Sequence, residues 1–148
     1  MKLKIQTILA TLWLSGVSVT ADANDVTYYP SSAGAPFSKA VRVENTLYLS
    51  GIIGAGKKGL SDDFDTQITQ LMENLKSTLA SFNLTTADVF KCTVMIDEMS
   101  KWPAFNSIYV SYFEPERLPA RSAFGADGLA MGAVAELECM AYVGEGAE

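Results

Sequence analysis

Two short stretches carry the residues best suited to chemistry. Leu118-Pro119-Ala120-Arg121-Ser122-Ala123 places an arginine just after a proline turn, at the head of a strand pattern. From that position its side chain can face a cleft at the sheet's end. Only three arginines occur, Arg42, Arg117 and Arg121, so a bidentate grip on an anionic ligand has few candidates. The second stretch is Ala135-Glu136-Leu137-Glu138-Cys139. Strand alternation puts Glu136 and Glu138 on one face and Leu137 and Cys139 on the other. Acids inside an apolar strand require water, a cation or an arginine partner, and carboxylates of this kind are candidates for general acid–base work. A surface arginine and a solvated strand face account for the same residues without any function.

What is missing narrows the chemistry further. The 148 residues include no histidine. Ser-His-Asp, Cys-His and HExxH machinery is therefore excluded, as is a relay with an unperturbed pKa near neutrality. Acid–base steps must rest on carboxylates, Lys, Tyr, Cys, backbone amides or water. The formal charge of −6 argues against a surface that tracks a phosphate backbone. The glycines of the 51–59 loop, with Lys57 and Lys58, lack the phosphate-loop spacing, since neither lysine precedes Ser or Thr.

Residues 1–23 read as a secretory signal peptide. Lys2 and Lys4 form a basic start, Ile5 to Val19 is mostly apolar, and Ala21-Asp22-Ala23 gives a small-x-small cleavage site. The apolar run is shorter than the ~20 residues of a spanning helix and is interrupted by Gln6, Thr7 and Ser15. Residues 24–148 then form a single exported domain, periplasmic or secreted, with no membrane attachment after processing. In an oxidising compartment Cys92 and Cys139 are able to pair. Both lie inside apolar strand patterns, so the preferred reading is two buried small hydrophobes.

Elements able to position these residues follow from periodicity. Val26 to Pro36 reads as an edge strand and loop. Ala40–Val43 and Leu47–Ile53 are strands joined at Glu44-Asn45. Ser61-Asp62-Asp63 supplies a helix start. Phe64, Ile68, Leu71, Met72, Leu75, Leu79 and Phe82 then form one apolar face, ending near Asn83. Val89–Ile96 is a strand with Phe90, Cys92, Val94 and Ile96 on one side. A second helix spans roughly Trp102 to Phe113, with Ser100 as its cap. Its face carries Trp102, Phe105, Ile108, Tyr109, Tyr112 and Phe113, aromatics read as core or interface. Strands Arg121–Ala126 and Val134–Val143 close the chain. The order β-β-β-α-β-α-β-β predicts an α+β domain, two helices packed on one face of a mixed sheet.

Several of these segments together resemble one family. Pro36-Phe37-Ser38-Lys39-Ala40-Val41 followed by Leu47-Tyr48-Leu49-Ser50-Gly51 is similar to the opening of the RidA (YjgF) reactive-intermediate deaminases. Gln70-Leu71-Met72-Glu73-Asn74-Leu75-Lys76 resembles their Q-x-x-x-N-[LIV]-K helix, and Val89 to Val94 their V-x-K-x-T-V strand. Phe105 to Tyr109 resembles their F-x-x-x-N-x-x-Y helix, compressed at the front. Pro119-Ala120-Arg121-Ser122 matches P-A-R-S, and Glu136-Leu137-Glu138 the final E-[IL]-E.

The resemblance implies a chorismate-mutase-like α+β fold and a homotrimer with ligand clefts between protomers. It implies hydrolysis of 2-imino or 2-enamino acids to 2-keto acids and ammonia, with no metal or organic cofactor. Relatives have also carried a ribonuclease label, which the missing histidine and the acidic charge disfavour, so no nucleic-acid partner is expected. By the same resemblance, Arg121 clamps the substrate carboxylate and Glu136 activates water. Phe37, Ser50, Gly51, Asn106 and Ala123 line the pocket, and Lys91 supports it. Some positions depart from the pattern. Phe37 replaces a tyrosine, Ala130 a proline and Ile52 a common glutamine. The alternative reading is a non-catalytic trimer that binds small carboxylic acids through Arg121.

Overall fold

A computed structural model of the chain describes residues 26–32 and 34–144. The proposed signal peptide lies outside the described residues. Strands β1 (Val26–Pro30), β2 (Ser38–Val43), β3 (Thr46–Leu49) and β4 (Ile52–Ile53) come first. Helix α1 (Phe64–Ala80), strand β5 (Val89–Ile96), helix α2 (Trp102–Val110), and strands β6 (Ala120–Gly125) and β7 (Ala135–Tyr142) follow. They build one seven-stranded sheet in the order β1-β2-β3-β7-β5-β6, with β4 also paired to β7. Only β5 and β6 run parallel, bridged by α2, so the sheet is mixed and the domain is α+β.

Both helices cover one face. Ile68, Leu71, Met72, Leu75 and Leu79 of α1 are fully buried against Leu47, Cys92, Val94, Ile96, Leu137 and Ala141 of the sheet. Phe105 and Tyr109 of α2 complete that core, and Trp102, Ile108 and Tyr112 pack at its margin. Asp63 caps α1 by accepting from Thr66 N at 2.8 Å and from the Thr66 hydroxyl at 2.6 Å. Those bonds stabilise its charged form and lower its pKa. The opposite sheet face has no helix. It carries Tyr28, Tyr48, Phe124 and Tyr142, all exposed in the single chain.

The structure revises four local expectations. The strand expected over Leu47–Ile53 is two, because Ser50 and Gly51 interrupt it. Tyr48 pairs with Met140 but Ile52 with Leu137, so one strand spends an extra residue there. Phe90 does not join the inward face. A register shift between Val89 and Lys91 lets Val89 take the buried place and leaves Phe90 exposed. Ser100 does not cap α2. Its hydroxyl bonds Glu98, and a 3-10 turn at Met99–Lys101 leads into the helix. Finally, Cys92 and Cys139 are a disulfide, not two thiols. They sit directly opposite on β5 and β7 with Cα atoms 4.1 Å apart. Each strand showed an apolar pattern, but only the register between them brings the sulfurs together.

Candidate functional site

Arg121 follows Pro119 on the edge strand β6, where it pairs with Cys92 of β5. Paired residues on neighbouring strands share a face, and Cys92 is fully buried under the helices. Arg121 therefore lies on the helix-covered face, half-buried beneath α2. Its guanidinium carbon is 4.6 Å from the Trp102 ring centroid and 4.7 Å from that of Tyr109. Three polar atoms here are buried without a hydrogen-bond partner: Arg121 Nη1, Asn106 Oδ1 and the Tyr109 hydroxyl. Orphaned buried polar atoms are uncommon, and Arg121, which lies against Tyr109, and Asn106, one turn before Tyr109 on α2, make this region suited to a polar ligand. Burial pushes the Tyr109 phenol from 10.0 up to about 12, opposed in part by the positive charge of Arg121, so this group stays neutral. Ala123, in register with Val94, continues the same face of β6 and is exposed.

Glu136 belongs to a different place. It pairs with Met95, while its neighbours Ala135 and Leu137 point into the core, so its carboxylate lies on the face without helices. The predicted sharing of that face by Glu136 and Glu138 holds. Gly51 lies against Glu136, and a Cβ at residue 51 would overlap Oε1, so only glycine leaves the carboxylate this position. The Ser50 hydroxyl donates to Ser38 O at 2.6 Å, tying the Ser50–Gly51 break to the segment that carries exposed Phe37. Lys91, on the same sheet face, donates to the Ser122 hydroxyl at 3.1 Å.

Polar residues of α1 hold this second group in place: Gln70 and Asn74 of the Q-x-x-x-N motif, and Gln67, which the sequence did not single out. Asn74 Nδ2 donates to Ile53 O at 2.8 Å and to Ala55 O at 3.0 Å, and Gln70 Nε2 donates to Asn74 Oδ1 at 2.8 Å. Buried Gln67 donates to Ser61 O and accepts from Val134 N, fixing the entry to β7. Their spacing on the buried side of α1 was the available signal. Trp102 was also missed as a partner of Arg121. It stands four residues ahead of Asn106, where the F-x-x-x-N-x-x-Y pattern has its aromatic, so no compression of that pattern is needed.

The predicted site residues thus fall into two groups. Arg121, Asn106 and Ala123 lie on or beside the covered face at the β6 edge. Phe37, Ser50, Gly51 and Glu136 gather around the β3–β4 break and β7. Arg121 and Glu136 are separated by two strand spacings and three residues along the strands, which puts their Cα atoms about 14 Å apart with side chains on opposite faces. Within one chain they do not share a pocket. Among the described residues no cluster of three or more His, Cys, Asp or Glu is arranged to hold a metal ion.

A helix-backed mixed sheet with an exposed aromatic face and an arginine under its second helix defines a chorismate-mutase-like α+β domain. The Endoribonuclease L-PSP family model matches residues 29–143. Reactive Intermediate Deaminase A, chloroplastic, of Arabidopsis thaliana is 30% identical over 89% of this chain and 71% of its own. The 2-iminobutanoate/2-iminopropanoate deaminase of Mus musculus is 31% identical over 86% of this chain and 95% of its own. The structure of a Rid-family protein from Yersinia pestis superposes with a TM-score of 0.71 at 31% identity, covering 78% of this chain and 94% of that one. The chain belongs to the RidA/YjgF/RutC family.

Proposed function

We propose that this protein is an exported, homotrimeric deaminase of 2-imino and 2-enamino acids, its active sites built between neighbouring chains. The observation that carries this reading is the division of the site. Arg121 waits with a buried, unpartnered N–H on one face, and Glu136 stands on the other. A second copy that brings its Glu136 group to the first copy's Arg121 group makes the pocket whole, and the exposed aromatics of the bare sheet face supply surface for such packing.

In that pocket Arg121 grips the substrate carboxylate and sets the imine carbon in place. Glu136 of the adjoining chain accepts a proton as water adds to the iminium carbon, giving a carbinolamine. It returns the proton to nitrogen, takes up the hydroxyl proton as the C–N bond breaks, and passes it to the departing ammonia, so a 2-keto acid and ammonium leave. Asn106, Ser50, Gly51, Phe37 and Ala123 shape the cavity, and Lys91 supports β6 through Ser122. The endoribonuclease description of the family is a poor guide to this chain, which has no histidine and a charge of −6.

Two observations support export. The first residues pair a basic start with an apolar run and a small-x-small boundary. A Cys92–Cys139 disulfide persists in an oxidising compartment and not in a reducing one. Residues 1–23 would be removed and 24–148 would act as the domain, on imines arising outside the cytosol.

The direct test generates a 2-imino acid with an amino-acid oxidase and follows semicarbazone-trappable species. Accelerated loss with the purified protein is expected. Unchanged loss with intact binding of 2-keto acids would leave the second reading, a carboxylate-binding trimer without turnover. That reading draws on Phe37, which lacks the hydroxyl of the tyrosine usual there.

A further inference from the structure

A half-buried guanidinium ordinarily rests against a carboxylate. Among the described residues none pairs with Arg121, and the two ion pairs found, Lys76–Glu73 and Arg117–Glu114, lie elsewhere on the surface. Aromatic rings take the acid's place. Trp102 and Tyr109 stand about two turns apart on α2, both within 5 Å of the guanidinium carbon. Phe105 between them stacks on each, with centroids 5.5 Å from Trp102 and 5.6 Å from Tyr109 and interplanar angles of 6° and 24°. The three rings form one stiff wall rooted in the core, since Phe105 is fully buried and Tyr109 is 2% exposed.

Rings and acids hold a cation differently. A carboxylate neutralises the charge and occupies the N–H edges. A ring attracts the cation through its face, leaves the charge uncompensated and leaves the in-plane N–H groups free. Trp does this better than Phe or Tyr. The buried, unpartnered Nη1 is what such an arrangement produces.

We propose that Trp102 and Tyr109 are positioning residues for the carboxylate clamp: they orient the Arg121 guanidinium in place of an acidic partner and so reserve its charge and N–H edge for the ligand's carboxylate. This rests on the reading of Arg121 as that clamp. Its consequence is a preference for anionic over neutral ligands that depends on Trp102, a residue that need not touch the ligand.

The test uses calorimetric titration of the full-length protein with 2-oxobutanoate and, separately, with its neutral amide. Trp102→Leu should weaken 2-oxobutanoate binding about ten-fold, and Trp102→Phe only about two- to three-fold. Affinity for the amide should not move in either. A merely structural role would weaken both ligands together. A companion measurement uses Trp13→Phe, which leaves Trp102 as the sole tryptophan. Its emission should shift saturably with 2-oxobutanoate and not with the amide. If Arg121→Ala abolishes 2-oxobutanoate binding while Trp102→Leu binds it as tightly as the parent, the positioning role is overturned and the clamp stands. If Arg121→Ala binds 2-oxobutanoate normally, the clamp itself fails. Should Trp102→Leu not fold, the other two variants decide: parent-like 2-oxobutanoate affinity in Trp102→Phe together with no emission shift in Trp13→Phe overturns the proposal.

Discussion

The two halves of the divided site are built by different means. Arg121 is held by packing: a roof of stacked rings from α2, a buried neighbour in Cys92, and orphaned polar atoms around it. Glu136 is held by hydrogen bonds and by an absence. Asn74, Gln70 and Ser50 fix the segments that flank Gly51, and the missing side chain of Gly51 leaves room for the carboxylate. A cation can be stiffened by apolar surface because rings attract it. A carboxylate has no such partner among rings and must stay on the more open face. The sheet keeps the pair apart within one chain, so the two charges do not pair inside a single chain.

That contrast predicts which half fails when it is disturbed. Glu136→Gln should lower turnover about 10³-fold while 2-keto acid binding persists, because only the proton-handling group is lost. Steady-state kinetics with calorimetry checks this, and lost binding would place Glu136 in recognition instead. Removing the link between the strands, by Cys92→Ala with Cys139→Ala, should cost about 4 kcal/mol in denaturant unfolding, since 47 residues separate the cysteines. Folded protein should keep its ligand affinity. Gly51→Ala should push Glu136 aside and reduce kcat about ten-fold with an unchanged circular dichroism spectrum. The smallest effect concerns Tyr109. Below pH about 10 its phenol is neutral whether the chain is folded or not. From about 10 to about 12 the unfolded chain ionises first, so stability falls as pH rises. Thermal melts of Tyr109→Phe should lack that alkaline loss.

Much of this was legible before any coordinates. The α1 stripe from Phe64 to Phe82 and the alternation of Glu136, Leu137, Glu138 and Cys139 are local patterns, and local patterns survive folding when one face is buried. Arg121 stood out because arginine is scarce. What stayed hidden depended on register between distant strands. Nothing in Val89–Ile96 alone shows the shift that turns Phe90 outward. Nothing in either cysteine's surroundings shows that they are opposite. The same holds for the site: which face Arg121 and Glu136 occupy follows from their pairing with Cys92 and Met95. Trp102 escaped notice because helix periodicity gave it a complete explanation as core, and its second contact is with another element.

The central claim is that a working site draws Arg121 from one chain and Glu136 from another. Mixing subunits tests it most directly. Arg121→Ala and Glu136→Gln, each nearly inactive alone, are unfolded together in equal amounts with the disulfide reduced, then refolded and reoxidised, and assayed for 2-imino acid hydrolysis. Random assembly around a cyclic trimer pairs an intact Arg121 with an intact Glu136 at about a quarter of the interfaces, so about a quarter of the parent activity should return. Refolded mixtures no more active than the two variants assayed separately would contradict a site shared between chains.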